Sequence, residues 1–309
     1  MRRWTLLAVL ALAVAFPLVA RPLGWEFYVG FASRIMIYAL AASSLNLILG
    51  YGGMLSFGHA AFVGAGAYVV GILMAEGVAS AWVSWPLAVA AAGALAAAVG
   101  AVSLRTRGVY FIMITLAFAQ MIYYIAVGMK AYGGEEGLNL PARSSVGFGL
   151  DLKDDATFYY VVLGVLIAAL YAMHRLARAR FGRVIEAIRE NETRMEAIGF
   201  ATHRYKLVCF ALGGAVAGLS GALLANQNSY VNPNLLYWTQ SGSLMIMVIL
   251  GGVGALYGGL LGAIALLVLE EVFSVYTIHW QLGVGAILLA IVLYAPQGLA
   301  GLLARRRDG

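Results

Sequence analysis

The side chains that could perform chemistry are few and do not form a catalytic or metal-binding set. Four histidines, His59, His174, His203 and His279, are scattered along the chain, and Cys209 is the only cysteine. A glycine-rich run in the last quarter is not followed by Lys-Ser or Lys-Thr, and neither H-E-x-x-H nor C-x-x-C occurs. The sequence therefore predicts no metal site, no cofactor and no internal disulfide, and a membrane enzyme would need a catalytic set that is not visible.

One polar segment, 181–206, combines both signs of charge in a chain that is otherwise apolar. Asn191 can cap a helix by accepting hydrogen bonds from its free amides, and Gly199 can end that helix in a left-handed conformation. These two residues predict a helix of about two turns, roughly 11 Å long at 1.5 Å per residue. Such a short charged helix is typical of a surface by which a membrane protein is held by a partner.

The residues before this short helix predict a second, amphipathic helix. Val184, Ile185 and Ile188 have helical spacing among charged neighbours, which suits docking to a partner. A simple cytoplasmic loop would need only basic residues, so the acidic residues favour a protein surface instead. The residues expected to contact the partner are Glu186, Arg189, Glu190, Asn191, Glu192, Arg194, Glu196 and Gly199.

A second unusual stretch, 46–71, is an apolar run interrupted by many glycines. Glycine at this density either lets helices approach closely in lipid, as we expect for Gly64 and Gly66, or permits a broken helix whose backbone lines a solute path. A structural hydrogen bond is the main alternative for the histidine at membrane depth. The residues expected to line a path are Asn46, Gly50, Gly53, Ser56, Gly58 and His59.

The composition places all of these residues in an integral membrane protein. Hydrophobic residues make up 62% of the chain and charged residues 11%, with a mean hydropathy of +0.87. The net charge of +6 could suggest nucleic acid, but the cations flank apolar runs, which is the pattern of a bilayer protein. We therefore expect contact with membrane lipid and none with nucleic acid.

The chain offers about ten apolar runs long enough for a bilayer core of about 30 Å. Their approximate cores are 4–20, 27–49, 54–74, 82–104, 109–129, 158–173, 207–227, 237–253, 256–274 and 280–294. With both termini cytoplasmic, only Arg21, Lys130, Arg143 and Lys153 fall in outer loops; apart from Arg34, which lies within a run, the other cations are inside. The fold class expected is an all-α polytopic membrane protein whose first helix is retained rather than cleaved.

The predicted outer segment, 130–157, is rich in turn residues and large enough to meet another protein. With no second soluble domain visible, 1–309 is expected to form a single transmembrane domain. The glycines and leucines of 49–58 recur at 250–259, which indicates either an internal repeat or two similar tight turns.

Several blocks of sequence together resemble one family of transporters. They are N-L-x-x-G-Y-x-G-x-x-S-F-G-H-A-A-F-x-G-x-G-A-Y over 46–68, R-G-x-Y-F over 107–111, T-L-A-F over 115–118, R-E-N-E over 189–192 with Gly199 and Lys206, and L-G-G-x-G over 250–254. The chain resembles LivM-type permeases of ATP-binding-cassette (ABC) importers for branched-chain amino acids. The S-F-G-H block at 56–59 is closer to the LivM branch than to the sister LivH branch.

The resemblance implies a non-hydrolytic permease subunit of the bacterial or archaeal inner membrane. Its implied partners are a LivH-like permease subunit, two cytoplasmic ABC ATPases and an external substrate-binding protein, with 192–199 as the coupling helix seated on an ATPase. In the outer loop Tyr132 stands where relatives often have threonine before two glycines, so urea, short amides or other amino acids stay open as cargo. An ion-coupled secondary transporter or channel is the alternative without ATPases.

Overall fold

The computed structural model describes residues 3–20, 24–147, 151–276, 279–294 and 297–305. Over these ranges the chain is mostly helical. The α-helices are α1 Arg3–Ala20, α2 Glu26–Asn46, α3 His59–Ala75, α4 Ala81–Ser103, α5 Val109–Gly128, α6 Asp155–Arg178, α7 Arg180–Glu190, α8 Glu192–Ala197, α9 Thr202–Asn228, α10 Trp238–Gly251, α11 Gly258–Tyr276, α12 Trp280–Tyr294 and α13 Gly298–Arg305. A π-helical turn, Leu47–Tyr51, extends α2, and two short strands, β1 Leu138–Asn139 and β2 Tyr230–Val231, pair antiparallel.

Six helices in the described part of the chain are long and apolar enough to cross a membrane. They are Glu26–Tyr51, Ala81–Ser103, Val109–Gly128, Asp155–Arg178, Thr202–Asn228 and Gly258–Tyr276, and four shorter apolar helices accompany them. These helices confirm a polytopic membrane protein. Arg2, Arg21, Arg306 and Arg307, which contributed to the predicted orientation, lie outside the described residues.

Small side chains bring the central helices together. Ala88, Ala92 and Ala96 of α4 recur every four residues and are fully buried against Gly214 and Gly218 of α9. A Cβ atom on Gly218 would lie 2.8 Å from the Ala88 carbonyl oxygen, so the two backbones approach as closely as glycine permits. Lipid supplies no hydrophobic force between helices, and this close packing is the means by which such helices associate.

The predicted coupling segment and the predicted outer segment lie at opposite ends of α9. Its 27 residues extend about 40 Å at 1.5 Å per residue. Its first residue, Thr202, hydrogen-bonds to Glu196 of α8, whereas its last turn leads through Ser229, in a left-handed conformation, to β2. Leu138 of β1 pairs with Val231 of β2, which anchors the 130–147 segment to the far end.

Arg143 joins the predicted outer segment to two helices. Its guanidinium donates to the Asn226 and Leu152 carbonyl oxygens at 3.1 and 2.9 Å, forms an ion pair with Asp155 at 2.7 Å and lies over the Phe158 ring. These contacts fix the segment to the ends of α9 and α6. On the same surface Tyr132 donates to the Glu76 carboxylate at 3.1 Å, and this bond raises the pKa of the Tyr132 hydroxyl.

Candidate functional site

The short helix α8 has the caps that the sequence predicts. The Asn191 side chain accepts a hydrogen bond from the Arg194 amide at 2.9 Å, which satisfies one of the free donors of the first turn. Gly199 follows the helix with φ +91°, a conformation that favours glycine, and its amide donates to the Glu196 carbonyl oxygen. The predicted helix and both of its ends are confirmed, although its six residues are shorter than the predicted two turns.

Charged and polar contacts hold α8 against the end of the bundle. Glu192 is ion-paired with Lys206 of α9 at 2.5 Å and with Arg107, just before α5, at 3.5 Å. Glu196 accepts from the Thr202 hydroxyl at 2.9 Å. The Glu192 and Lys206 side chains are only 18% and 15% exposed, so this pair holds α8 in position inside the chain and leaves other residues to face outward.

The outward surface of α8 is formed by its remaining side chains. Thr193, Arg194, Ala197 and Ile198 are all exposed, and Ile198 exposes 64% of its surface. An exposed isoleucine four residues after the exposed Arg194 presents an apolar contact beside a charged group. This set of four residues is called the α8 surface below.

The amphipathic helix α7 corrects one expectation. Its apolar side was predicted to suit docking to a partner, but Ile185 and Ile188 are each 2% exposed and pack within this chain. An amphipathic pattern shows that one side of a helix is buried and does not show what covers it. Only the charged side of α7, with Glu186 and Glu190, is left facing away from the bundle.

The Glu192–Lys206 pair gives a prediction by charge exchange. Glu192→Lys or Lys206→Glu alone places two like charges where the ion pair now stands. Each single variant should lose about 1–2 kcal/mol of stability, which lowers the apparent melting temperature in detergent by several degrees. The double variant should recover part of the loss, because Arg107 still repels a cation at position 192. A double variant less stable than both singles would contradict the pairing.

The predicted break between α2 and α3 is present. The backbone passes from α2 into the π-helical turn, where the Gly52 amide bonds to the Leu47 carbonyl oxygen at 3.2 Å, and then leaves helical structure until His59. A π-helical turn is rare and often marks a functional position. Gly58 lets this irregular segment approach α5 closely, since a Cβ atom added at Gly58 would lie 2.8 Å from the Thr115 carbonyl oxygen.

Asn46 joins this break to a second one, between α10 and α11. Its side-chain oxygen accepts from the Gly254 amide at 2.9 Å and its nitrogen donates to the Ala255 carbonyl oxygen at 2.7 Å. Gly50 permits the contact, because a Cβ atom there would lie 2.7 Å from the Gly254 Cα atom. The two glycine-rich stretches that echo each other in sequence are therefore neighbours in space, while their origin as a repeat stays a prediction.

The other residues predicted to line a path are enclosed. Ser56 and His59 are 0% exposed, and the His59 Nε2 atom lies 2.8 Å from the Ser44 hydroxyl on α2. The neighbouring Ala60 amide donates to the Ser241 hydroxyl of α10 at 2.9 Å. The bond between His59 and Ser44 agrees with the alternative that His59 makes a structural hydrogen bond. Contact of the path residues with solute stays a prediction.

The structure thus divides the predicted residues into two groups, with Arg189 between them. The predicted coupling residues belong to α7 and to α8 with its caps, and the path residues lie in the break after α2 or directly beside it. The Arg189 side chain of α7 donates to the Gly50 carbonyl oxygen in that break. Sequence reasoning missed Arg107 and Lys206 as partners of Glu192, although both stand in the motif blocks. No local signal pairs residues so far apart; only their charges, opposite to that of the acid, could have suggested it.

An apolar bundle of helices able to cross a membrane, with a capped polar helix at one end, defines the class of polytopic membrane proteins. The chain belongs to the family described as "Branched-chain amino acid transport system / permease component", whose model matches residues 27–295. It is 30% identical to the high-affinity branched-chain amino acid transport system permease protein LivM of Escherichia coli K12, over 95% of this chain and 74% of that protein.

Two further relatives widen this similarity. The probable branched-chain amino acid transport permease protein LivM of Methanocaldococcus jannaschii is 25% identical, with 85% of this chain and 90% of that protein covered. The high-affinity permease protein LivH of Escherichia coli K12 is also 25% identical, over 85% and 91%. No solved structure matches the chain. The LivM resemblance seen in the sequence blocks is confirmed, and the chain is a permease component of a transport system.

Proposed function

We propose that this chain is the membrane-spanning subunit of an ATP-driven importer for branched-chain or related hydrophobic amino acids, and that partner ATPases hydrolyse the ATP. The observation that carries the proposal is the α8 surface. A short helix with both ends capped, held to the bundle by Glu192 and Lys206, presents Arg194 and Ile198 outward at one end of the fold. A partner that holds such a helix can displace the ends of α7 and α9 directly.

The topology proposed is one domain of ten crossings with both termini cytoplasmic. The six long helices, together with four shorter apolar ones, support that number. The cation-rich segment 175–206 is at the end of the bundle that bears α8, and basic residues favour the cytoplasmic side. The inner membrane of a bacterium or archaeon is the location that follows.

The partners proposed are a second, LivH-like permease subunit, two cytoplasmic ABC ATPases and an external substrate-binding protein. Similarity to relatives named LivM and to relatives named LivH supports a two-permease core. The 130–147 segment, anchored by Arg143 and the short sheet at the far end of α9, is the surface offered to the binding protein. It lies about 40 Å from the α8 surface along α9.

In the proposed cycle, ATP closes the two ATPases and α8 moves with them. The displacement reaches the break that holds Asn46, Gly50 and His59, and the bundle alternates between outward-open and inward-open forms. We propose that the backbone of this break borders the solute path in one of those forms, because irregular backbone at membrane depth is tolerated where it is buried in protein or lines a cavity.

Ile198→Asp tests the ATPase contact. With the partner subunits coexpressed, uptake of labelled leucine should fall about tenfold, since a carboxylate in an apolar contact costs a free energy of about 1.4 kcal/mol or more. The ATPases should also copurify less well, while the amount of folded permease in the membrane is unchanged. Equal uptake and copurification for Ile198→Asp and wild type would contradict the proposal.

The matched control is Val109→Asp, which adds the same carboxylate at an exposed apolar residue near Arg107, at the same end of the bundle but outside α8. An acidic residue is tolerated in the first turn of a helix, so uptake by the Val109→Asp variant should remain normal.

Competition by unlabelled leucine, urea and acetamide identifies the cargo class. Uptake that follows an ion gradient in vesicles without ATPases would instead establish a secondary transporter.

A further inference from the structure

Arg189 connects the coupling helices to the membrane-embedded break. It lies in the last turn of α7, two residues before Asn191, the cap of α8. Its guanidinium nitrogen Nη1 donates to the Gly50 carbonyl oxygen in the π-helical turn, 139 residues away in sequence. This arginine, whose contact with an ATPase stays a prediction, is hydrogen-bonded to the backbone of the break after α2.

Two glycines in left-handed conformations lie beside this arginine, and one of them makes room for it. Gly53 has φ +65°, and a Cβ atom there would lie 2.8 Å from the Arg189 Cγ atom. Gly254 has φ +78°, and a Cβ atom added there would lie 3.6 Å from the Arg189 Nη1 atom. A side chain at Gly53 would crowd the arginine, and one at either position would strain the backbone because both φ angles are positive. The arginine therefore lies between the glycine turn after α2 and the glycine turn after α10.

Asn46 completes the arrangement by binding both turns together. Through its bonds to the Gly254 amide and the Ala255 carbonyl oxygen, the connection between α10 and α11 is fixed to α2 one turn from Gly50. Asn46, Gly50, Gly53, Arg189 and Gly254 are called the glycine junction below. Arg189 is the member of this junction that comes from the coupling helices, so α7 is linked through it to two broken helices at once.

We propose that Arg189 is a positioning residue that transmits the displacement of α7 and α8 to the breaks after α2 and after α10. The proposal rests on the proposed function, since it assumes that an ATPase moves α8. Three features support it. Ile185 and Ile188 bury α7 against the bundle, so α7 moves as a body with its neighbours. A single residue, Asn191, separates α7 from α8. The acceptor is a π-helical carbonyl group, in a segment whose hydrogen bonds already depart from the α-helical pattern.

The test compares Arg189→Met with Arg189→Lys in the complete transporter reconstituted into vesicles with its ATPases and binding protein. The quantity measured is the number of leucine molecules taken up per ATP hydrolysed. Arg189→Met keeps an unbranched, flexible side chain but removes the guanidinium donor, so ATP hydrolysis should persist while this ratio falls at least tenfold. Arg189→Lys retains a donor and a charge, and it should restore part of the ratio.

Arg180→Met is the matched control, because it removes an exposed arginine from the first turn of the same helix, outside the junction. Its ratio should equal that of wild type. Gly53→Ala should reproduce the loss without altering Arg189 itself, by crowding the side chain. If Arg189→Met does not assemble, the Arg189→Lys and Gly53→Ala variants replace it. Their number of leucine molecules taken up per ATP hydrolysed is then compared with that of wild type.

The role of Arg189 would be overturned if Arg189→Met took up as many leucine molecules per ATP as wild type. The same result in both Arg189→Lys and Gly53→Ala would also overturn it. A loss of assembly, uptake and hydrolysis in equal proportion in all three variants would also overturn it, since that is the result of a purely structural contact. The proposed function is tested separately in the same vesicles. If wild type shows no ATP-dependent uptake, or Ile198→Asp is fully active, the proposed function has failed and not the junction alone.

Discussion

Gly221→Leu is expected to leave almost no folded permease in the membrane. Gly221 of α9 faces α3 so closely that a Cβ atom would lie 2.7 Å from the Val63 carbonyl carbon and 3.0 Å from the Ala67 amide nitrogen. These neighbours are backbone atoms, which cannot move away by changing a rotamer, so α3 and α9 would have to separate. The expected cost is above about 4 kcal/mol, a large part of the stability of a typical domain.

The matched control is Gly164→Leu on α6. Gly164 is also helical, but a Cβ atom there has nothing within 4 Å, and the residue is exposed. That variant should be present at wild-type levels, or slightly higher because leucine is the better helix former. The measurement is the amount of monodisperse permease by fluorescence-detected size-exclusion chromatography. Equal amounts for Gly221→Leu and Gly164→Leu would contradict the close packing of α3 on α9.

Asn46→Leu is expected to reduce uptake about a hundredfold and to destabilise the chain. Leucine has the same branched arrangement of four side-chain heavy atoms, but it leaves the Gly254 amide and the Ala255 carbonyl oxygen without the partners they now have at 2.9 and 2.7 Å. Each unsatisfied buried group costs about 1–3 kcal/mol, so the two breaks should separate and their relative position should be lost.

The measurements are leucine uptake and the apparent melting temperature in detergent. Asn228→Leu is the control, because Asn228 is exposed in the last turn of α9, at the far end of the molecule. It should change neither quantity by much. A stable Asn46→Leu variant with normal uptake would show that the bonds between the two breaks are dispensable.

Local signals in the sequence were sufficient for the ends of α8 and for the break after α2. Asn191 and Gly199 act within one turn of themselves, so their effect on the backbone is readable without a fold. Similarly, the glycines of 50–58 weaken a helix wherever they occur. Because of them the helix α3 begins at His59, five residues after the predicted start at position 54. Hydrophobicity located the apolar helices because the bilayer, which is a uniform solvent, imposes the same requirement on each of them.

Contacts between distant residues were not predictable in the same way. Glycine similarity suggested a relation between 49–58 and 250–259, but nothing in the pattern placed the Asn46 amide on Gly254. The bond from Arg189 to Gly50 was not predictable either, because the sequence shows no target inside the chain for a charged residue on an amphipathic helix. The apolar side of α7 was misread for the related reason that its cover, the chain's own bundle, is formed by tertiary packing.

Site-specific photocrosslinking tests most directly whether an ATPase holds this permease through the α8 surface. A benzoylphenylalanine at position 198 in the assembled transporter should crosslink to an ATPase subunit, while the same probe at position 153 should not. Lys153 is exposed near the start of α6, at the opposite end of the bundle. An ATPase crosslink from position 153, or none from position 198 in a transporter that imports leucine, would contradict the claim.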